Sequence, residues 1–189
     1  MSVSVIILVV AVKSFSPNSV SLRAVLLVLV IVAASVSAVF AYLHLSKDTR
    51  VRTVTVFPPY ELSMELEKTV FNLGESVNVT ISVKNIGNET ITVVWGSSSR
   101  FDFNVTDANE TFVYRFTWVR FFTGAEKRVN LLPGEEFSEI MKWDQTRVTV
   151  EGDKVLEYGI PVERGIYSIV GMLDTEPYLV TPPIQVTIV

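Results

Sequence analysis

The hydrophobic pattern of the chain changes character once. From Ala24 to Leu43, twenty successive residues carry no charge. As a helix this run would rise about 30 Å, the thickness of bilayer hydrocarbon. Beyond Arg52 the apolar period becomes two. Val77, Val79, Ile81 and Val83 alternate with Asn78, Thr80, Ser82 and Lys84, the signature of a half-buried strand. Ile91, Val93 and Trp95 predict the next strand, followed by Phe101–Thr106, Phe112–Thr117, Val119–Thr123, Phe137–Trp143, Gly165–Leu173 and Tyr178–Val189. Turn residues punctuate them at Asn72-Leu-Gly, Asn85–Asn88, Pro133-Gly134, Glu151–Asp153, Arg164-Gly165 and Pro182-Pro183. Many short strands with this punctuation predict an all-β, immunoglobulin-like antiparallel β-sandwich preceded by one transmembrane helix.

The domain map follows: a stub over 1–23, a membrane anchor over 24–45, a membrane-proximal stalk over 46–60 and the sandwich over 61–189. Thr49–Phe57 is also legible as one further strand. The apolar run is longer than the roughly 7–15 residues of a signal peptide's apolar region, which favours a retained anchor over a cleaved signal. Small residues ahead of Ala38 and Ala41 keep cleavage, and hence secretion, open. A second apolar run, Val3–Val12, is too short to span a bilayer, and a start near Val20 would leave a short basic flank.

Charge sharpens this division. Charged residues are 19 % of the chain, below the roughly 25 % of soluble domains. All 20 acidic residues lie at or after Asp48. From Ser46 onward 14 basic residues face 20 acidic ones, a net of −6, which argues against a nucleic-acid partner. Basic residues flank the apolar run on both sides, so the positive-inside rule does not orient it. The sequons do. Asn78, Asn88, Asn104 and Asn109 each head an Asn-x-Thr triplet, where the chain's 8 asparagines would give one or two by chance. They are candidate glycosylation sites and place the C-terminal part outside a single-pass anchor in the cell membrane. A threonine-rich β domain producing sequons by accident is the competing reading.

The chain has no cysteine and a single histidine, His44. Disulfides, thiolate metal sites and a cysteine nucleophile are excluded, and a Ser-His-Asp triad or multi-histidine metal site nearly so. No cofactor, metal or catalytic residue is expected.

Several segments, in order, resemble the intracellular proteinase inhibitor (BsuPI-like) family: Phe71-Asn-Leu-Gly-Glu75 with Val77–Asn85, Ser97–Val105, Tyr114–Thr117 with Phe122-Thr123, Leu132-Pro-Gly-Glu135, Trp143-Asp-Gln145 and Arg164-Gly-Ile-Tyr167. The resemblance spans about residues 70–175. It implies an immunoglobulin-like sandwich and, as activity, inhibition of subtilisin-like serine proteases, here in a membrane-anchored, outward-facing, archaeal version. The chain departs from the pattern in its apolar run and in the long segment Asp144–Glu163.

The function this supports is a binding module that engages another surface protein or a subtilisin-like serine protease. Inhibition of that kind needs an exposed extended loop. The candidate is a hairpin over Arg147–Tyr158, with Arg147, Val148, Thr149, Val150, Glu151, Gly152, Asp153, Lys154 and Val155 as partner-binding residues and Glu151-Gly152-Asp153 at its tip. The alternative is a structural surface or filament subunit assembling by strand exchange through Thr49–Phe57. Three further constellations have bland readings. Phe112, Tyr114, Phe116 and Trp118 form a core stripe rather than a binding surface. Arg100 and Asp102 form an exposed ion pair. Asp102, Asp107 and Glu110 are solvated acids rather than a calcium site, since their spacing matches no calcium loop.

Overall fold

The computed structural model describes Val32 and residues 49–189 except Asp153. The stub, the anchor and the second apolar run therefore lie outside the described residues, apart from Val32, which is helical. Among the described residues no helix is long and apolar enough to cross a membrane. The chain divides into two units, Met1–Asp48 and Thr49–Val189, and the second is described here.

Two sheets carry the sandwich. In the first, β1 (Val51–Phe57), β2 (Tyr60–Leu66), β4 (Val77–Asn85) and β9 (Glu136–Trp143) lie in the order β1-β2-β4-β9, all antiparallel. The second runs β3 (Val70–Phe71), β14 (Ile184–Ile188), β12 (Gly165–Leu173), β6 (Asp102–Asp107) and β7 (Phe112–Arg115), with β13 (Leu179–Val180) also paired to β12. The β3–β14 pair is parallel, a departure from the all-antiparallel expectation. Two ribbons flank the sheets: β5 (Ile91–Trp95) with β8 (Lys127–Leu131), and β10 (Thr146–Glu151) with β11 (Lys154–Pro161).

Alternation decides which residues meet. On β4, Val77, Val79, Ile81 and Val83 are buried while Asn78 and Thr80 are half-exposed. On β2, Leu62, Met64 and Leu66 point inward with them. Phe103, Val105, Tyr167, Ile169 and Leu173 face them from the second sheet within one apolar core. The sheets lie close together at Gly171, where an added Cβ would lie 2.9 Å from the Ile81 Cδ1 and 3.3 Å from the Met64 Cβ.

Three sequence expectations are corrected and one, the start of the last strand, holds. The stalk over 46–60 is for the most part β1, paired with β2 along its full length, so the compact unit begins at Thr49 and not at residue 61. Thr53 and Thr55 also donate their hydroxyls to the Pro182 and Val180 carbonyls, at 3.1 and 2.6 Å, fastening β1 to the opposite sheet. Val119–Thr123 is not a strand: Phe116–Val119 tightens into a 3-10 turn and an irregular segment follows. The last strand, β14, begins after Pro182-Pro183, as donor-less prolines lead one to expect, and Leu179–Val180 ahead of them pairs separately as β13. Strands β2, β3 and β8 have no counterpart among the strands that the sequence pattern predicts.

Candidate functional site

The β10–β11 hairpin is built on a lock of side chains between distant segments. Gln145 takes a left-handed backbone conformation (φ 52°), uncommon for a residue with a Cβ. Its carbonyl accepts the Val162 N–H at 2.9 Å, closing the base of the hairpin. Its buried side chain accepts the Gly74 N–H at 2.8 Å and donates to the Asn72 carbonyl at 2.9 Å. Beside it, Ser76 donates to Asp144 at 2.7 Å. The fully buried Trp143 donates its indole N–H to the Thr146 carbonyl at 2.8 Å, and its ring meets Tyr167 edge-on at 5.5 Å. Tyr167 in turn donates to the Glu163 carbonyl at 2.7 Å, and burial raises its pKa above the ordinary tyrosine value. Glu75 pairs with Lys68 and accepts the Asn72 N–H. The Lys68 hydrogen bond foremost, then the Asn72 N–H, holds the Glu75 carboxyl below the usual carboxylate range. Three separate motifs, around residues 71–75, 143–145 and 163–167, thus converge at the hairpin's base.

The hairpin has two faces. Val148 is buried, and Val150 and Val155 are half-buried against the core, so the ribbon lies on the sandwich rather than projecting freely. Two register shifts leave Leu156 and Gly159 as extra residues on β11. Gly159 has φ 82°, a bulge conformation that glycine adopts without strain. Toward solvent the ribbon shows Leu156 at 52 % and Tyr158 at 69 % exposure, Tyr158 although it pairs in register with the buried Val148. Of the sequence-predicted partner residues, Arg147, Thr149, Glu151, Gly152 and Lys154 are exposed. Val148, Val150 and Val155 are turned inward instead, and Asp153 lies outside the described residues. Alternation along β10 explains the split. A cleft of about 380 Å³ runs between the hairpin and β7, lined by Asp107, Phe112 and Arg147 among others.

A second cleft, about 440 Å³, is lined by Ser97, Ser99, Arg100, Asp102, Thr117 and Asp174 among others. Asp102 at its floor is 2 % exposed and fully partnered. One oxygen accepts from Arg115 Nε at 2.5 Å and the Thr117 hydroxyl at 2.7 Å; the other accepts the N–H groups of Phe103 and Thr117 at 2.8 and 3.1 Å. The expected Arg100–Asp102 pair is therefore corrected. The β6–β7 register sets Asn104 opposite Arg115, which brings Arg115 to Asp102 diagonally. Arg100 pairs with Glu139 and lies 5.2 Å over the Phe137 ring.

The aromatic stripe is core in part. Tyr114 is buried and Phe103 stacks between Tyr114 and Phe116 at 5.7 and 5.5 Å. The stripe loses its strand period after Arg115, where the 3-10 turn brings Trp118 back to within 5.0 Å of Phe112. Burial pushes the Tyr114 pKa up to about 12. Asp107 uses its carboxylate within its own turn, accepting the Asn109 and Thr111 N–H groups at 2.8 and 3.0 Å. Among the described residues no three His, Asp or Glu side chains group as metal ligands. The sequons divide: Asn88 and Asn109 are exposed in turns, whereas Asn78 and Asn104 are half-buried in strands. The Asn104 carbonyl oxygen is itself buried.

Among solved structures, a β-glucosidase from Listeria innocua is similar over 69 % of this chain and 16 % of its own, at 18 % identity and TM-score 0.40. Spo0M, a sporulation control protein from Bacillus subtilis, is similar over 70 % of this chain and 50 % of its own, at 18 % identity and TM-score 0.38. The chain thus spans about a sixth of the glucosidase and half of Spo0M. No curated protein matches it. The family model described as BsuPI, intracellular proteinase inhibitor, matches residues 64–178, a stretch that runs from within β2 to the start of β13 and holds both the lock and the hairpin, and the chain belongs to that family.

Proposed function

We propose that the sandwich is a protein-binding module without catalytic chemistry of its own, which inhibits a subtilisin-like serine protease through the outer face of the β10–β11 hairpin. The observation that carries this is the pairing of an anchored base with an apolar, solvent-facing outer strand. Gln145 closes the base, and Leu156 and Tyr158 stand exposed above it. A preorganised ribbon loses little conformational freedom on binding, and an exposed tyrosine is a common energetic anchor in interfaces. The family's description points to a proteinase as partner.

The same reading takes the chain as anchored in the cell membrane by Ala24–Leu43, with the sandwich outside. The uncharged run and the sequons support this, and Asn88 and Asn109 are the positions a glycan would occupy. Fractionation of the full chain with membranes, with loss of mass at those two asparagines on deglycosylation, is the expected result; recovery of the intact chain from the soluble cytosol would remove the anchor.

Titration of the full chain against subtilisin-like proteases tests the inhibitor reading. Because Val150 and Val155 pack on the core, deleting the hairpin would disturb the fold. The informative variant is Leu156→Ala with Tyr158→Ala, which should weaken inhibition at least tenfold with unchanged thermal stability. Inhibition at full strength in that variant would discard the hairpin face. Absence of inhibition by the native chain would discard the protease.

A further inference from the structure

The first sheet ends in a strand that nothing among the described residues covers in the pairing direction. β1 pairs with β2 alone, through seven successive residues from Val51–Leu66 to Phe57–Tyr60 without a register shift. It contains no proline, glycine or acidic residue. A two-residue connection makes Phe57–Tyr60 a hydrogen-bonded closing pair, and antiparallel pairs alternate. Arg52, Val54 and Val56 therefore aim their N–H and C=O groups away from β2. The strand adds apolar surface there: Val54, Val56 and Phe57 are 39, 56 and 52 % exposed.

Four other edges among the described residues are blunted. β11 is bulged twice, β3 is two residues long, β10 packs beside β7, and β9 carries Glu136, Glu139 and Lys142. Bulges, short strands, cover and charge are the devices that keep sheet edges from pairing. β1 has none of them apart from the charge of Arg52.

We propose that the β1 edge is a pairing surface for β1 of a second copy of this chain, antiparallel about a twofold axis at Val54. That register sets Val54 against Val54, Thr53 against Thr55, and Arg52 against Val56. Charge selects both the occupant and the direction. Arg52 comes across Val56 toward Glu61 of the second copy, since Val56 and Glu61 are neighbours between β1 and β2. Its Nη2 already bonds its own Glu61 and Ser63, at 3.2 and 3.1 Å, which leaves Nη1 and Nε to reach across. Parallel pairing would set Arg52 beside Arg52, like charges on neighbouring strands. The arrangement joins two four-stranded sheets into one of eight strands. Because the same surface is used on both sides, it closes as a dimer and does not extend into a filament. It stands independently of the protease reading.

The absence of cysteine makes a single introduced thiol unique. In the full chain, Val54→Cys treated with a short bismaleimide should give covalent dimer in good yield. Ile140→Cys, exposed on β9 at the opposite edge, should give at least tenfold less. Adding Val56→Lys to Val54→Cys sets a lysine against Arg52 of the second copy and should lower the dimer yield at least tenfold. Adding Arg52→Glu as well should restore it. Association through the apolar run alone would not respond to these charges. The proposal is overturned if Val54→Cys links no better than Ile140→Cys, if Val56→Lys leaves the yield unchanged, or if the cross-linked product contains a different protein.

Discussion

Two hairpins of this domain solve opposite problems. The β10–β11 ribbon leaves the sandwich at Trp143 and returns at Val162, and every irregularity in it works against strand addition. Two extra residues twist β11, and the ribbon turns its valines onto the core. What it offers outward is side chains, Leu156 and Tyr158. The β1–β2 hairpin has no irregularity, and what it offers is a row of backbone groups. A family signature surrounds the first hairpin, while the matched region leaves β1 outside. The difference teaches that recognition by side chains needs a fixed base, whereas recognition by backbone needs only an unblocked edge. The lock residues are thus expected to matter far more to stability than any residue of β1.

The largest effect tests the lock itself. Trp143→Ala removes a fully buried ring and leaves the Thr146 carbonyl without its donor. It should cost about 3–5 kcal/mol, read as a shifted urea midpoint. A loss no greater than that from a β1 surface substitution would break the comparison. A second test uses pH. Tyr114 lies on β7, the strand that β10 flanks, and is kept neutral by burial, with its pKa raised from 10.0 to about 12. Its contribution is complete below pH 10, where both states are neutral. It is lost as pH rises from about 10 to 12, because the unfolded chain ionises first. The loss is about 3 kcal/mol at most, and Tyr114→Phe should flatten that part of the stability–pH curve.

Gln145→Ala separates the base of the hairpin from the core. It removes the side chain that accepts the Gly74 N–H and donates to the Asn72 carbonyl, and sets alanine at a left-handed φ. The expected loss is about 1–3 kcal/mol, with faster amide exchange confined to residues 146–161. On the other hairpin, Thr55→Val deletes only the hydroxyl bond to the Val180 carbonyl and should cost about 1 kcal/mol or less. Exchange that quickens equally across both hairpins would show that the lock acts globally.

The sequence carried some of this plainly and concealed the rest for physical reasons. The strand at Val77–Val83 is legible because one face is buried and alternation is the direct consequence. β8, Lys-Arg-Val-Asn-Leu, turns only Val129 and Leu131 inward, an alternation too short to read as a strand. β2 has a clean alternation of Leu62, Met64 and Leu66, but the preceding prolines and a presumed stalk hid its pairing with β1. Nearness in sequence pairs Asp102 with Arg100, whereas register across β6 and β7 supplies Arg115. The lock was visible only as family motifs. Nothing in Trp143-Asp-Gln145 reveals that its glutamine answers a turn about seventy residues upstream, since a hydrogen bond leaves no periodic trace. The division of the hairpin into inward Val148, Val150 and Val155 and exposed Leu156 and Tyr158 follows a period of two along each strand, whereas the two register shifts that set the strands against each other leave no periodic trace.

The smallest expected effect on stability is also the sharpest on function. Leu156 and Tyr158 are exposed on a strand whose inner neighbours do the packing, so truncating them removes little buried area. Leu156→Ala and Tyr158→Ala should each change unfolding free energy by about 0.5 kcal/mol or less. In a protease complex the same side chains would pass from water into a desolvated interface, where an anchoring tyrosine is worth about 2 kcal/mol or more, roughly thirtyfold in inhibition constant. The comparison then predicts a crossed pattern. Substitutions at Leu156 and Tyr158 weaken protease inhibition and leave β1-mediated cross-linking unchanged, while Val56→Lys abolishes cross-linking and leaves inhibition unchanged. A single variant that loses both would mean that the two hairpins serve one interface, and the division drawn between them would fall.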